Sequence, residues 1–153
     1  MSSLTIDELR QRVGQEIGVS EPFEITQDRV NLFADATEDH QWIHVDPERA
    51  RSGPFGGPIA HGYLTLSLIP YLLGRTFQVE GVRMGVNYGL NRVRFPNPVH
   101  VGKRIRARSK LLSAEEVQPN VIQQVNEITV EIEGETKPAM VAESVTRMYL
   151  ASD

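Results

Sequence analysis

The segment from Ala60 to Leu73, AHGYLTLSLIPYLL, contains no Asp, Glu, Lys or Arg. Tyr63, Leu64, Leu66, Leu68, Ile69, Tyr71, Leu72 and Leu73 fall on nearly every side of a helix. A helix apolar all round has to be surrounded. The segment is too short to cross a bilayer, so protein must do the surrounding. Pro70 has no N–H for the Leu66 carbonyl, which predicts a kink in the last turn or an early end. Gly74 is a suitable terminator.

After residue 78 the apolar period changes from that of a helix to two. Candidate strands are Val79–Phe95 (interrupted by glycines 81, 85 and 89), Arg104–Leu112, Val121–Ile132 and Met140–Leu150. Pro96, Pro98 and Gly102 punctuate the first gap, and Pro119-Asn120 and Glu133-Gly134 mark turns. In the second strand Arg104, Arg106, Arg108 and Lys110 share one face and Ile105, Ala107, Ser109 and Leu111 the other. In the third, Glu127, Thr129, Glu131 and Glu133 oppose Ile128, Val130 and Ile132. As ladder neighbours these two strands would set basic side chains against acidic ones. The pattern is α+β: a largely antiparallel sheet with one wet face and the other packed on the apolar helix.

The residues before the helix carry start and stop signals. Residues 5–14 read as a short helix with Thr5 and Glu8 in a capping box, Leu4 and Leu9 as a staple, Val13 continuing the stripe and Gly14 ending it. Val19–Ile25 reads as extended, at an edge or bulged because of Pro22. A second helix starts at the Thr26 cap, presents Val30, Phe33 and Ala34 inward, and fades near Thr37. Residues 38–60 form a loop region with Pro47, Gly53, Pro54, Gly56, Gly57 and Pro58. Asp46 and Pro47 could open a short helix within it. Loops of that length inside a compact domain are commonly functional. Residues 1–153 show no repeat or linker and read as one domain.

Composition narrows the function classes. The net charge of −4, without a long block of like charge, argues against nucleic acid as a partner. There is no cysteine, so disulfides and thiol catalysis are out, in keeping with a cytoplasmic protein. Residues 1–20 hold no long apolar run, so no signal peptide is expected, and no membrane partner.

The polar segment supplies the chemistry. Asp39 and His44 lie five apart, and a carboxylate beside an imidazole suits general acid–base work. Spacing alone equally allows an Asp capping a turn and a His satisfied by backbone, and it does not separate His44 from His40. Asp39, His40, His44, Asp46 and His61 include metal-ligand types, but no recognised zinc spacing is present: Gln-Trp-Ile separates His40 from His44. No metal is expected. At Gly62 the first N–H groups of the apolar helix are free to meet developing negative charge, and no side chain blocks approach. Gly62 could instead serve only close packing, and His61 reads as structural. The row Arg104/Arg106/Arg108/Lys110 reads as a solvated strand face, while Arg92, Arg94 and Lys103 are candidates for phosphate contacts at a cleft mouth. Gly53–Pro58 does not join a strand to a helix as a nucleotide loop would.

Together these stretches resemble a known family. Phe33-Ala-Asp-Ala-Thr-Glu-Asp39-His-Gln-Trp-Ile-His44-Val-Asp46, followed by Pro58-Ile-Ala-His61-Gly62 and by Asn87–Val99 with Gly102, is similar to the MaoC-like dehydratases, the (R)-specific enoyl-CoA hydratases of the hotdog fold. The resemblance covers roughly residues 20–150. It implies a curved antiparallel sheet wrapped around the apolar helix, a homodimer, and an acyl-CoA thioester as substrate. It further implies reversible syn hydration of a trans-2-enoyl-CoA to an (R)-3-hydroxyacyl-CoA, without metal or redox cofactor. Asp39 would deprotonate the water that attacks C3, His44 would help deliver the proton to C2, and the Gly62 N–H would polarise the thioester carbonyl. The chain departs from the family pattern in lacking Asn-Pro between Asp39 and His44, and in having Pro70 where some members carry a small hydroxyl residue. Trp42, Ile43 and Phe55 are the positions expected to select the acyl group. The alternatives are a non-catalytic acyl-CoA-binding hotdog protein and an acyl-CoA thioesterase.

Overall fold

The computed structural model describes residues 1–152. In chain order the elements are β1 (Ser2–Leu4), α1 (Ile6–Gln11), β2 (Glu16–Val19), β3 (Phe23–Glu24), α2 (Gln27–Thr37), α3 (Trp42–Val45) and α4 (Pro47–Arg51). Then follow α5 (Gly62–Ser67), α6 (Ile69–Gly74), β4 (Phe77–Val79), β5 (Val82–Arg94), β6 (Arg104–Gln118), β7 (Val121–Ile132) and β8 (Met140–Leu150). The main sheet is antiparallel in the order β2-β6-β7-β8-β5, and β3 also pairs with β6. The break between β2 and β3 falls around Pro22, as expected for an edge segment that loses one donor. No helix among the described residues is long and apolar enough to cross a membrane.

β6 and β7 meet through Pro119-Asn120, where Asn120 takes a left-handed φ of 62°. Their outer faces pair as the sequence implied. Arg104 reaches Glu133 at 2.7 Å and Arg106 reaches Glu131 at 3.0 Å, with Arg106 directly opposite Glu131 in the ladder. Arg108 joins the same Glu131 and also Glu16 of β2. Their inner faces place Ile105, Ala107, Ile128, Val130 and Ile132 in the core. β6 runs six residues beyond the expected end at Leu112. Register shifts between Leu111 and Ser113, and between Glu116 and Gln118, break its alternation and hide the continuation.

The apolar segment packs on that inner face as two short helices, not one. The break falls at Leu68, nearer the middle than the last turn, with Pro70 in the first turn of α6. Leu64, Leu68, Ile69 and Leu72 are buried among the sheet residues. Each such side chain contributes about 1.5–3 kcal/mol on burial. The expectation of burial on all sides does not hold in the single chain. Tyr63 is 70% exposed and Tyr71 47%, and Ser67, Pro70 and Gly74 share their outward stripe. The sheet curls round one side of the helices only.

The N-terminal signals read largely as expected. Thr5 accepts from the Glu8 N–H at 3.1 Å, and Leu4 and Leu9 are buried in a second cluster with Leu111, Ile122 and Met148. The helix ends at Gln11, so Val13 lies outside the stripe and is exposed. The parallel pair β1–β4 was not foreseen, since a three-residue strand carries no readable period. Thr26 accepts from Arg29 N–H, and Val30 and Ala34 face the core. Within the loop region Asp46 caps α4 by accepting from Arg49 N–H at 3.1 Å.

Glu131 gives a pH test of the ladder. Burial alone would raise its carboxyl, but bonds from Arg108 and Arg106 outweigh this and hold it below the usual glutamate range. A depressed carboxylate stabilises the fold above its unfolded value of 4.5, and that contribution is lost as pH falls through the folded value. Glu131→Gln is expected to lower the urea midpoint at pH 7. The gap from wild type should close on acidification and narrow in high salt.

Candidate active site

Three elements converge at the mouth of α5. α2 stops at Thr37, and Glu38 turns the chain with a left-handed φ of 64°. Asp39 follows at the surface, its Oδ1 within 3.4 Å of the Gln41 N–H. The single turn α3 then carries His44 inward until 7% of it is exposed. The His44 Nδ1–H donates to the Ile59 carbonyl at 2.7 Å, and the Ile59 N–H donates to the Ile43 carbonyl at 3.0 Å. These two bonds zip α3 to the strand-like approach to α5. A carbonyl only accepts, so this bond leaves Nε2 of the neutral ring as a lone pair.

His61 precedes α5 and is 3% exposed. Its Nε2–H donates to the backbone carbonyl of Asp39 at 2.9 Å. Its ring stacks on that of His44, with centroids 3.9 Å apart and planes 23° from parallel, and Phe33 tilts against it at 4.9 Å. One carboxylate oxygen of Asp39 and one ring nitrogen each of His44 and His61 lie within 4.8 Å of one another. His44 Nδ1 is taken by the Ile59 carbonyl and His61 Nε2 by the Asp39 carbonyl, so each ring has one nitrogen left to offer. Burial pushes the His44 pKa below 6.5, and the neighbouring His61 adds to that against the Ile59 bond and Asp39. His40, by contrast, is exposed and bonds to Asp35 at 2.9 Å, which raises its pKa. The structure thus separates the two histidines that spacing left equivalent.

A cavity of about 250 Å³ opens beside His44 and is lined also by Phe55, Gly62, Thr65, Phe95 and Val99. Gly62 is the first residue of α5, where N–H groups lack helical acceptors. A Cβ added there would meet the Phe95 ring at 3.1 Å, a tight contact that the ring would have to relieve by moving a few tenths of an ångström. A larger cavity of about 680 Å³ runs along Leu66, Pro70 and Leu73 against Asn126 and Thr146 of the sheet.

Of the positions expected to touch substrate, Phe55 lines the smaller cavity. Trp42 instead covers Gly53, where an added Cβ would come within 2.8 Å of its ring, and lies under the Arg49 guanidinium at 4.4 Å. Ile43 contributes its carbonyl to Ile59. Arg92, Arg94 and Lys103 are exposed and border neither cavity. Phe95 and Thr65 were not singled out from sequence. Phe95 reads as a strand end before Pro96, and the only hint of its place was Gly62, whose close-packing alternative needs a partner.

Residues 8–133 match the MaoC like domain. The chain belongs to that family. It is 53% identical over 147 residues to 3-hydroxyacyl-thioester dehydratase Z of Mycobacterium tuberculosis, covering 96% of this chain and 97% of that protein. It is 45% identical over 148 residues to Nodulation protein N of Rhizobium leguminosarum, covering 95% and 92%. Among solved structures it resembles the (R)-hydratase from A. caviae, with a TM-score of 0.72, 27% identity, and 88% and 94% of the two chains covered. The hotdog architecture expected from sequence is the one this MaoC-like chain has.

The contrast between its two loop histidines is measurable. In an NMR titration of the imidazole carbons, His44 should titrate below 6.5 and His40 above it. Asp35→Asn should bring His40 back towards 6.5 without moving His44.

Proposed function

We propose that this MaoC-like chain is an (R)-specific enoyl-CoA hydratase, run in reverse a 3-hydroxyacyl-CoA dehydratase. The observation that carries the reading is the joint placement of His44 and Gly62 on one small cavity, with a carboxylate oxygen of Asp39 within 4.8 Å of a His44 ring nitrogen. The names of the relatives, a 3-hydroxyacyl-thioester dehydratase and an (R)-hydratase, point the same way.

In this reading the thioester carbonyl lies on the Gly62 N–H, at the positive end of α5. Asp39 and the lone pair on His44 Nε2 hold one water. Asp39 takes a proton as the water oxygen bonds to C3, and electron density moves through C2 onto the carbonyl oxygen. Asp39 passes that proton to His44 Nε2, which delivers it to C2 on the same face, so the net addition is one H and one OH and both side chains return to their starting states. No electrons leave the pair, and no redox group is required. Phe95 and Phe55 line the same cavity and would flank the reacting carbons. Exposed Arg92, Arg94 and Lys103 remain candidates for the CoA phosphates, which extend outside the cavity. The reading includes a cytoplasmic location, which suits a CoA thioester substrate.

The same reading includes a homodimer. β5 is an edge strand with Met84, Val86, Tyr88 and Leu90 exposed, and the outward helix stripe carries Tyr63 and Tyr71. Long apolar edges are ready-made pairing surfaces. A two-fold mate across them would cover the stripe that the single sheet leaves bare.

A chain-length panel of trans-2-enoyl-CoAs tests the reaction, read by loss of enoyl-thioester absorbance and by free thiol together. Hydration without thiol release is expected. Thiol release would mark a thioesterase, and binding without either change would mark a non-catalytic acyl-CoA-binding protein. Asp39→Asn and His44→Ala should each lower kcat by about 10²-fold or more. The acid limb of kcat/KM should fall below 6.5, because the lowered His44 pKa keeps its base form to more acidic pH. For the assembly, light scattering should give twice the 17.2 kDa chain mass, and Val86→Lys should shift it to monomer.

A further inference from the structure

We propose that His61 is a positioning residue, which holds Asp39 by its backbone and His44 by its ring face so that both address one water. The proposal rests on the hydratase reading.

Asp39 needs such a hold. It sits at the surface just after a left-handed residue, and its carboxylate has only a long 3.4 Å approach from Gln41 N–H. Its firm attachment is the 2.9 Å bond from His61 Nε2–H to its carbonyl, which spans 22 residues of sequence. That bond ties the loop after α2 to the start of α5, where the Gly62 N–H lies. The same ring is held between Phe33 and His44, so it fixes the plane of the His44 imidazole as well. One side chain therefore sets the spacing between the carboxylate, the imidazole and the helix mouth. His61 itself lines neither cavity, so it acts through the other two residues.

The orphaned nitrogen supports this role. With Nε2 donating, Nδ1 is a buried acceptor that has no partner among the described residues. Leaving a buried polar atom unpaired is destabilising, and a Phe or Leu would fill this space without that penalty. A Phe keeps the flat face but lacks the N–H; a Gln keeps an N–H at similar reach but lacks the face. Only histidine supplies both here. The groups facing it are the Asp39 carbonyl and carboxylate, the His44 ring and the Phe33 ring. His61 also adds to the lowering of the His44 pKa.

Two variants separate the two holds. His61→Phe should lower kcat by about 10²-fold while KM stays within about threefold, since misplacement of reacting groups by an ångström has that effect. His61→Gln should recover most of that loss, yet its acid limb should move to higher pH, because His44 loses the electrostatic influence of His61 that lowers its pKa. Amide hydrogen exchange reads the anchor without turnover: residues 39–41 should exchange faster in His61→Phe and as wild type in His61→Gln. A His61→Phe enzyme with wild-type kcat, or one that loses activity only in proportion to its folded fraction, overturns the proposal. So does unchanged exchange at 39–41. If wild type hydrates no enoyl-CoA while the exchange signature appears, the hydratase reading falls and takes the positioning role with it, leaving the bond as structural alone.

Discussion

The bond from His44 Nδ1–H to the Ile59 carbonyl is the contact on which the site depends. It is buried, so both partners would be left unpaired if either moved. A neutral hydrogen bond nets about 1 kcal/mol, but a stranded buried group costs about 1–3 kcal/mol. The asymmetry makes the short turn α3 a fixed part of the molecule, although a four-residue helix has no stability of its own. The bond also settles which His44 nitrogen carries the proton. The outer nitrogen is thereby left as a lone pair by backbone on the inner side.

Everything else in the fold serves to bring Ile59 and α5 to that place. Ala60 N–H bonds to the Val99 carbonyl and Val101 N–H to the Pro58 carbonyl, which clamps the approach to α5 onto the segment after β5. The sheet then grips the helices through Leu64, Leu68, Ile69 and Leu72. The ionic ladder on the far side of β6 and β7 lies away from this grip. Its groups are roughly a third or more exposed, so it adds modestly to stability and leaves the site electrostatics to the local pairs.

How legible this was depended on whether the signal was local. Caps at Thr5, Thr26 and Asp46 are contained in four residues each, and all three side chains bond as the sequence implied. β7 and β8 keep one register with each other, so their period was readable end to end. β6 was truncated in the reading because its bulges reverse the alternation. The site was only half readable. Asp39, His44 and Gly62 lie in two motifs that the family resemblance joined. The separation of His40 from His44 depends on which ring is buried, and no pattern within six residues encodes that. Trp42 was a candidate substrate contact because it lies between Asp39 and His44, where the family pattern has Asn-Pro. Its partner turned out to be Gly53, eleven positions away, whose missing side chain makes the room.

The break in the central helix and its bare stripe are one fact seen twice. The sequence writes a helix apolar on all sides, and the single sheet covers only one. Pro70 lies on the uncovered side, where its missing N–H weakens no contact with the sheet. Tyr63 and Tyr71 bracket it, and the larger cavity between the helices and the sheet reaches Pro70 and Leu73. A residue pattern that demands burial, on a surface that the chain itself leaves open, would be satisfied by the second copy proposed above. The unpaired edge of β5 adjoins that cavity through Gly85, Asn87 and Gly89. Pairing at that edge would therefore also shape the space beside α6. Covering the helix and bounding the larger cavity would then be a single event, so that what the acyl group meets beyond the small cavity depends on assembly as well as on the sequence of one chain.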